Sequence, residues 1–268
     1  MEIDVLLIGD IVGKPGRSIV KELIPSYIEE NKIELVIANG ENAAQGTGIT
    51  ENLFKELVAT GIDVVTTGDH TWRRREILNV LQNDRRILRP QNYSPEAVGR
   101  GYRVFETRRG IRVGVVTVLG RIFMEPVDCP FRTAEAAVQE LKAETPVCFL
   151  EIHAEATSEK VAMGWKFAGQ VSCVFGTHTH VTTADERVIP GGTAYITDLG
   201  MTGPHDSVIG RDKENVIYKF RTNMHAPFHV ATGDVRLSGA KVRVDVTTGK
   251  ALAIERVRLT QDGASLES

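Results

Sequence analysis

Two stretches, Glu151-Ile-His-Ala-Glu155 and Gly176-Thr-His-Thr-His-Val181, decide the fold. Each places histidine at the end of an apolar run, Val147-Cys-Phe-Leu150 before the first and Val171-Ser-Cys-Val-Phe175 before the second. Short apolar runs closed by glycine or polar residues read as buried strands running into loops. In an open α/β sheet the ligand crevice lies beyond the carboxyl ends of the strands. His153, His178 and His180 are therefore expected to converge there, and imidazole suits zinc, iron, nickel or copper. Taken singly, each is as readable as a loop histidine with a backbone partner. A His-x-His pair after one strand, joined by a strand-end histidine upstream, favours metal binding.

Working outward, the start of the chain repeats the pattern. Asp4-Val-Leu-Leu-Ile8 is a short strand ended by Gly9-Asp10, and Ile19, Val20, Leu23, Ile24, Tyr27 and Ile28 then recur at helical spacing. The loop Gly9 to Arg17 resembles a phosphate loop but fails as one. Gly9 and Gly13 are one residue too close, and Pro15 stands where a magnesium-binding hydroxyl belongs. Ile33 to Ala38 is a second strand, followed by Asn39-Gly-Glu-Asn42, and Thr50 is placed to cap a helix through Ala59. Ile62 to Thr67 is a third strand, followed by Gly68-Asp-His-Thr-Trp72 and a helix expected from Arg73 to Leu81. Asp10, Glu41, Asn42, Asp69 and His70 thus recur just past successive strands. Alone, Asp10 would read as a turn-forming residue. Three such units in register with the later histidines point to a shared cation site, since buried carboxylates are costly unless paired or metal-bound.

Composition sets the outer limits. The 268 residues suffice for one large α/β domain, with ordinary hydrophobic (42%) and charged (25%) fractions. Net charge is −3, which argues against a general binder of long nucleic acid; no stable nucleic-acid binding is expected. The opening Met-Glu-Ile-Asp-Val lacks a basic segment followed by an apolar one, and no run approaches membrane-spanning length. A cytoplasmic protein is expected. Cys129, Cys148 and Cys173 show no paired spacing and read as reduced, structural thiols.

The middle is less informative. Residues 87–101 are loop-rich, Tyr102 to Glu106 and Ile111 to Leu119 look like two strands, and the irregular segment 120–130 reads as a surface loop or a cover for the site. Ala134 to Glu144 is an amphipathic helix, and Ser158 is placed to cap another through Phe167. Thr193 to Thr197 is a strand. Lys241 to Val246 and Leu252 to Leu259 flank the turn Thr247-Thr-Gly-Lys250 as a hairpin. His205, His225 and His229 read as surface or loop histidines, although the glycine-rich loop could turn His205 toward the site.

Taken together, Gly9-Asp10, Asn39-Gly-Glu-Asn42, Gly68-Asp-His-Thr-Trp72, Glu151-Ile-His153 and Gly176-Thr-His-Thr-His180 resemble the five ordered blocks of the calcineurin-like metallophosphoesterases. More narrowly they resemble the bacterial YmdB-like branch, with its Gly-Met-Thr-Gly-Pro segment matched by Gly200 to Pro204. The resemblance covers nearly the whole chain. It implies a four-layer αββα sandwich of two mixed β-sheets flanked by helices, built as a single domain over residues 1–268. It implies a dinuclear metal-dependent phosphodiesterase opening cyclic nucleotides, 2′,3′-cyclic nucleotides to 3′-nucleotides in particular. On its pattern Asp10, Asn42 and His180 bind one metal, Asp69, His153 and His178 bind the other, and Glu41 bridges both. The metals implied are divalent or mixed-valence iron or manganese, with zinc or magnesium as alternatives. On this reading a metal-bridging hydroxide would attack phosphorus, Asn42 would steady a phosphoryl oxygen, and His70 would protonate the leaving oxygen. The chain departs from the pattern twice. Asp10-Ile-Val12 lacks the superfamily's block-one histidine, a loss the branch shares, and Asp69 stands where the branch usually has asparagine. The extra carboxylate is expected to raise metal affinity and lower Lewis acidity.

Two other readings use the same residues. One is a broad phosphomonoesterase or nuclease, though no basic stripe interleaved with aromatics supports the nuclease. The other is a regulatory metal-binding protein with little turnover. Homo-oligomer assembly is left open.

Overall fold

The structure is a computed structural model that describes residues 1–261 and 265. Strand β1 (Glu2–Ile8) runs into the short β2 (Asp10–Ile11), helix α1 (Gly13–Asn31) and β3 (Ile33–Asn39). Helix α2 (Glu51–Ala59), β4 (Val64–Thr66), α3 (Ile77–Asn83) and β5 (Ile87–Leu88) complete the first half. The second half begins with β6 (Tyr102–Glu106), β7 (Arg112–Leu119), α4 (Pro130–Lys142), β8 (Cys148–His153), α5 (Thr157–Lys166) and β9 (Cys173–Thr177). The chain closes with β10 (Arg187–Ile189), β11 (Thr193–Ile196), β12 (Met201–Pro204), α6 (Lys213–Thr222), β13 (Val235–Asp245) and β14 (Ala251–Thr260).

Two mixed sheets result. The first has the order β2-β12-β13-β1-β3-β4-β5, with β14 on β13, and the second β10-β11-β9-β8-β7-β6. Within them β1, β3, β4 and β5 are parallel, as are β7, β8, β9 and β11. All residues of β3 and β8 are buried, which is why those strands read as near-continuous apolar runs without alternation.

Three apolar layers hold the sandwich. Ile19, Val20 and Ile24 of α1, Phe54 and Leu57 of α2, and Ile77 of α3 pack on the outer face of the first sheet. Val5, Leu7, Leu35 and Ile37 meet Phe149, Cys173, Phe175 and Ile196 between the sheets. Ala134, Val138 and Leu141 of α4 and Met163 of α5 cover the second sheet. Each fully buried side chain of this kind contributes about 1.5–3 kcal/mol of transfer free energy, so the four-layer order follows from which strand faces are apolar.

Local differences from the sequence reading have local causes. Thr50 does cap α2, its hydroxyl accepting from Leu53 N at 3.4 Å. The helix expected from Arg73 instead begins at Ile77, because Thr71–Arg73 form a 3₁₀ turn after His70. The next helix starts at Thr157 behind Ala156, with no side-chain cap from Ser158. Helix α4 starts four residues before the predicted Ala134, with Pro130 in its first turn. Among the described residues, no helix is long and apolar enough to cross a membrane.

Candidate metal centre

The carboxyl ends of the parallel strands of both sheets face one crevice. From the first sheet come Asp10 after β1, Glu41 and Asn42 after β3, and Asp69 and His70 after β4. From the second come His153, the last residue of β8, and His178 and His180 after β9. Glu41, Asp69, His153 and His178 bring one ligand atom each within 4.8 Å of one another. Asp10 Oδ1 extends the group, lying 3.9 Å from His153 Nδ1 and 4.0 Å from His180 Nε2. Asn42 joins from the other side, its amide 3.1 Å from His70 Nδ1. All eight residues singled out in the sequence therefore meet.

The outer partners fix which nitrogen of each imidazole points inward. Thr177 Oγ1 donates to Glu151 Oε1 at 2.8 Å, so it can only accept from His153 Nδ1 at 2.9 Å. His153 Nε2 is then left facing Glu41 Oε1 at 3.3 Å and Asp69 Oδ1 at 3.0 Å. His180 Nδ1 donates to the Ile209 carbonyl at 2.9 Å, freeing Nε2 toward Asp10. His178 Nε2 lies 3.2 Å from Glu155 Oε2, leaving Nδ1 beside Asp69 Oδ1 at 3.2 Å. This is the arrangement in which a second partner sets the tautomer of a metal-binding histidine.

The His178-Thr-His180 turn is strained and anchored. His178 and His180 have φ of 98° and 64°, the left-handed region that costs a non-glycine residue about 1–3 kcal/mol. Two buried carboxylates offset this. Asp10 Oδ2 accepts from His178 N at 3.1 Å, and Asp198 Oδ2 accepts from Thr179 N at 3.2 Å and Thr179 Oγ1 at 2.7 Å. Asp198 is in turn paired with buried Lys160, Nζ to Oδ2 at 2.6 Å.

Three observations test whether a cation fits. Asp10 Oδ1 and Asn42 Oδ1 are buried with no hydrogen-bond partner, an arrangement that costs free energy unless something else fills the role. Gly68 leaves open a volume that a β-carbon could not share with His153 and Glu41. The donors are carboxylate, amide and imidazole, the mixed set that iron, manganese or zinc accepts. The residues fit a metal centre.

Electrostatics agree. Burial pushes the Asp10 carboxyl up to about 7, against the pull of His153 and with the push of Asp198 and Glu41. Burial also opposes ionisation of Glu41 and Asp69, but the histidines around them more than offset it and hold both carboxyls below their usual range. His153 is driven the other way: burial disfavours its charge, yet Glu41, Asp69 and Asp10 raise it well above an ordinary imidazole. Burial lowers His180. An excess of negative charge thus holds a proton where a cation would sit.

Several residues here escaped sequence reasoning. Asn39 Nδ2 and Thr177 both bond Glu151 Oε1, building a buried brace behind His153. A carboxylate inside the apolar strand Cys148–His153 was the available signal. Glu155, Lys160 and Asp198 act through space and gave none. Segment 120–130 is irregular, with Ile122 and Phe123 exposed, and Arg73 approaches Glu125 at 4.0 Å.

Two α-flanked sheets with this donor set in the crevice between their strand ends define a calcineurin-like metallophosphoesterase. The family model described as YmdB-like protein matches residues 6–257, and the chain belongs to that family. It is 44% identical over 258 residues to the 2′,3′-cyclic-nucleotide 2′-phosphodiesterase of Bacillus subtilis strain 168, covering 96% of this chain and 97% of that one. Among solved structures, a hypothetical protein from Thermus thermophilus superposes with a TM-score of 0.90 at 38% identity, covering 96% and 99% of the two chains. A phosphatase of Mycoplasma pneumoniae does so at 0.91 and 34%, covering 97% and 94%.

Proposed function

We propose that the whole chain acts as one catalytic domain that opens 2′,3′-cyclic nucleotides to 3′-nucleotides with two metal ions. As a member of this family the chain is a phosphoric diester hydrolase. The narrower reading is carried by one observation, the convergence of Glu41, Asp69, His153 and His178 within 4.8 Å beside the unpartnered Asp10 and Asn42 oxygens. The 44% identical phosphodiesterase supports the substrate.

Asp10, Asn42 and His180 would hold one ion, Asp69, His153 and His178 the other, with Glu41 shared. Bound ions supply the Lewis acidity that offsets phosphate charge and makes a hydroxide nucleophile available near neutral pH. The protein's own part is placement and proton transfer. Asn42 Nδ2 and Glu41 Oε1 both approach His70 Nδ1, at 3.1 Å and 3.3 Å, which leaves Nε2 as the nitrogen turned to substrate. That nitrogen lies 3.5 Å from Asp69 Oδ2 on a side chain 27% exposed, where an incoming substrate can reach it. His70 occupies the sparsely populated bridge region at φ −91°, ψ 8°, common for active-site residues. It gives its proton to the departing 2′-oxygen. Burial lowers its pKa, but Glu41 and Asp69 outweigh that and raise it, keeping the proton available at neutral pH.

The test is direct. Purified protein with iron or manganese should convert adenosine 2′,3′-cyclic monophosphate to the 3′-monophosphate, resolved chromatographically from the 2′-isomer. Hydrolysis of nitrophenyl monoesters alone, or the 2′-isomer as sole product, would overturn the assignment.

A further inference from the structure

Next to the metal centre lies a cavity of about 340 Å³ that no part of the mechanism uses. His180 belongs to both, its Nε2 facing Asp10 while the ring walls the cavity. Arg256 and Arg258 also line the cavity. They alternate on β14, so they project from one face of the strand. Arg258 pairs across the ladder with Ser238, whose carbonyl holds Gly9 N, the residue before Asp10.

The lining holds no acidic residue, in a protein whose net charge is −3. Its hydroxyls are already committed: Thr182 Oγ1 donates to Leu199 O and Ser207 Oγ to Pro204 O. His205 directs Nδ1 at the Gly203 carbonyl. The spare donors are therefore guanidinium groups. Arg256 bonds Glu186 through Nε alone, at 2.7 Å. The Arg258 side chain makes no hydrogen bond or close ion pair among the described residues, although the charge of Asp234 acts on it. Two forked cations with free N–H groups match a phosphate in geometry and charge. Val181 and Ile209, 59% and 54% exposed, line the same cavity and offer apolar surface against which a base or ribose can lie. The volume falls at the small end of ligand pockets, enough for roughly one nucleotide unit.

We propose that this cavity binds a second phosphate, the one on the 5′ side of the nucleoside whose cyclic phosphate sits at the metals. The preferred substrate is then a 2′,3′-cyclic phosphate that carries a further phosphodiester or phosphate, such as the cleaved 3′ end of a short RNA. The inference rests on the cyclic-phosphate reading above and adds its specificity. The reaction class that supplies such ends is RNA cleavage by attack of a ribose 2′-hydroxyl on the adjacent phosphate.

The experiment compares kcat/KM for adenosine 2′,3′-cyclic monophosphate, its 5′-phosphorylated form, and an adenylyl dinucleotide ending in the cyclic phosphate. Ratios within one preparation cancel differences in folding and metal loading. The wild type should favour the two substrates with the extra phosphate by about 10-fold or more, the scale of one charged hydrogen bond. In Arg258→Ala the ratio should fall toward one, and Arg258→Lys should retain part of it. A gain with the dinucleotide assigns the cavity to RNA ends; a gain with the 5′-phosphorylated mononucleotide alone assigns it to free nucleotides, with the phosphate site upheld in both. A wild-type ratio near one, or a ratio untouched in Arg258→Ala, overturns the proposal while leaving the cyclic-phosphate reading intact. Failure to open the cyclic phosphate of any of the three removes that reading and this inference with it.

Discussion

Replacing Lys160 with methionine should loosen the metal centre from behind. Lys160 is fully buried on α5, and its Nζ lies 2.6 Å from Asp198 Oδ2. Methionine keeps most of the apolar stem and removes the charge. Asp198 would then be a buried carboxylate without a countercharge. Removing one partner of such a pair costs about 3–5 kcal/mol. Asp198 would keep Gly200 N at 2.7 Å, Thr179 N at 3.2 Å and Thr179 Oγ1 at 2.7 Å, which places the expected loss at the lower end. About 3 kcal/mol in a chain of this size corresponds to a fall in Tm of roughly 6–9 °C. The protein should still fold, since domains carry about 5–15 kcal/mol. Because Thr179 sits between His178 and His180, metal content should fall with stability. Calorimetry and elemental analysis of Lys160→Met, Asp198→Asn and the double variant check this. The double variant should recover much of the loss, because neither charge is left alone. Parental melting and metal content in Lys160→Met would refute the claim that this pair anchors the turn.

Three further outcomes are expected. His70→Ala should retain metal while turnover falls by about 10²–10⁴-fold, the usual share of a general acid; loss of metal would make His70 a ligand instead. Glu155→Ala should weaken metal affinity by about 10-fold, measured by competition with a chelating dye, and Glu155→Gln should restore most of it. That is the lower end of the range because the Glu155 side chain is 51% exposed. The third concerns pH. Both His153 and Asp10 have raised pKa values in the metal-free fold, Asp10 to about 7. Each protonated group therefore contributes stability that is present below its unfolded value, about 6.5 and 3.9 respectively, and is lost as pH rises through the folded value. Metal must displace those protons. The difference in Tm between metal-loaded and chelator-treated protein should widen from pH 5 to pH 8; a constant gap would contradict it.

The donor set was legible because its chemistry is written at strand ends. Gly9-Asp10, Glu41-Asn42, Asp69-His70, His153 and the His178–His180 pair each follow an apolar run, and parallel strands carry such positions to one edge. What could not be read is whatever depends on a neighbour distant in sequence. Lys160 and Asp198 are 38 residues apart, and Glu151 meets Asn39 across 112. The hairpin of β13 and β14 was readable, but its placement beside β1, which brings Arg256 and Arg258 near the Asp10 end of that strand, was not. Helix starts were misplaced where a 3₁₀ turn or a proline intervened, at Thr71–Arg73 and at Pro130. Helix α6 escaped detection because only Val216 of it is buried, so its sequence carries little amphipathic pattern.

One further consequence concerns the order of assembly. Asp10 N is held by Gly200 O, and β2 pairs in parallel with β12 rather than with any early strand. Gly9 and Gly200 approach so closely there that a β-carbon on Gly9 would collide with the Gly200 carbonyl. A nascent chain that has emerged only through β8 owns Asp10, Glu41, Asp69 and His153 and can pair Ile8 with Ala38, but it lacks the Gly200 carbonyl that holds Asp10 N. Metal capture is expected to wait for residues 198–204, which are made well after the first three βα units. Ribosome-stalled chains of graded length should accordingly gain tight metal retention as a step once that segment is free, and a gradual rise from β4 onward would rule this out.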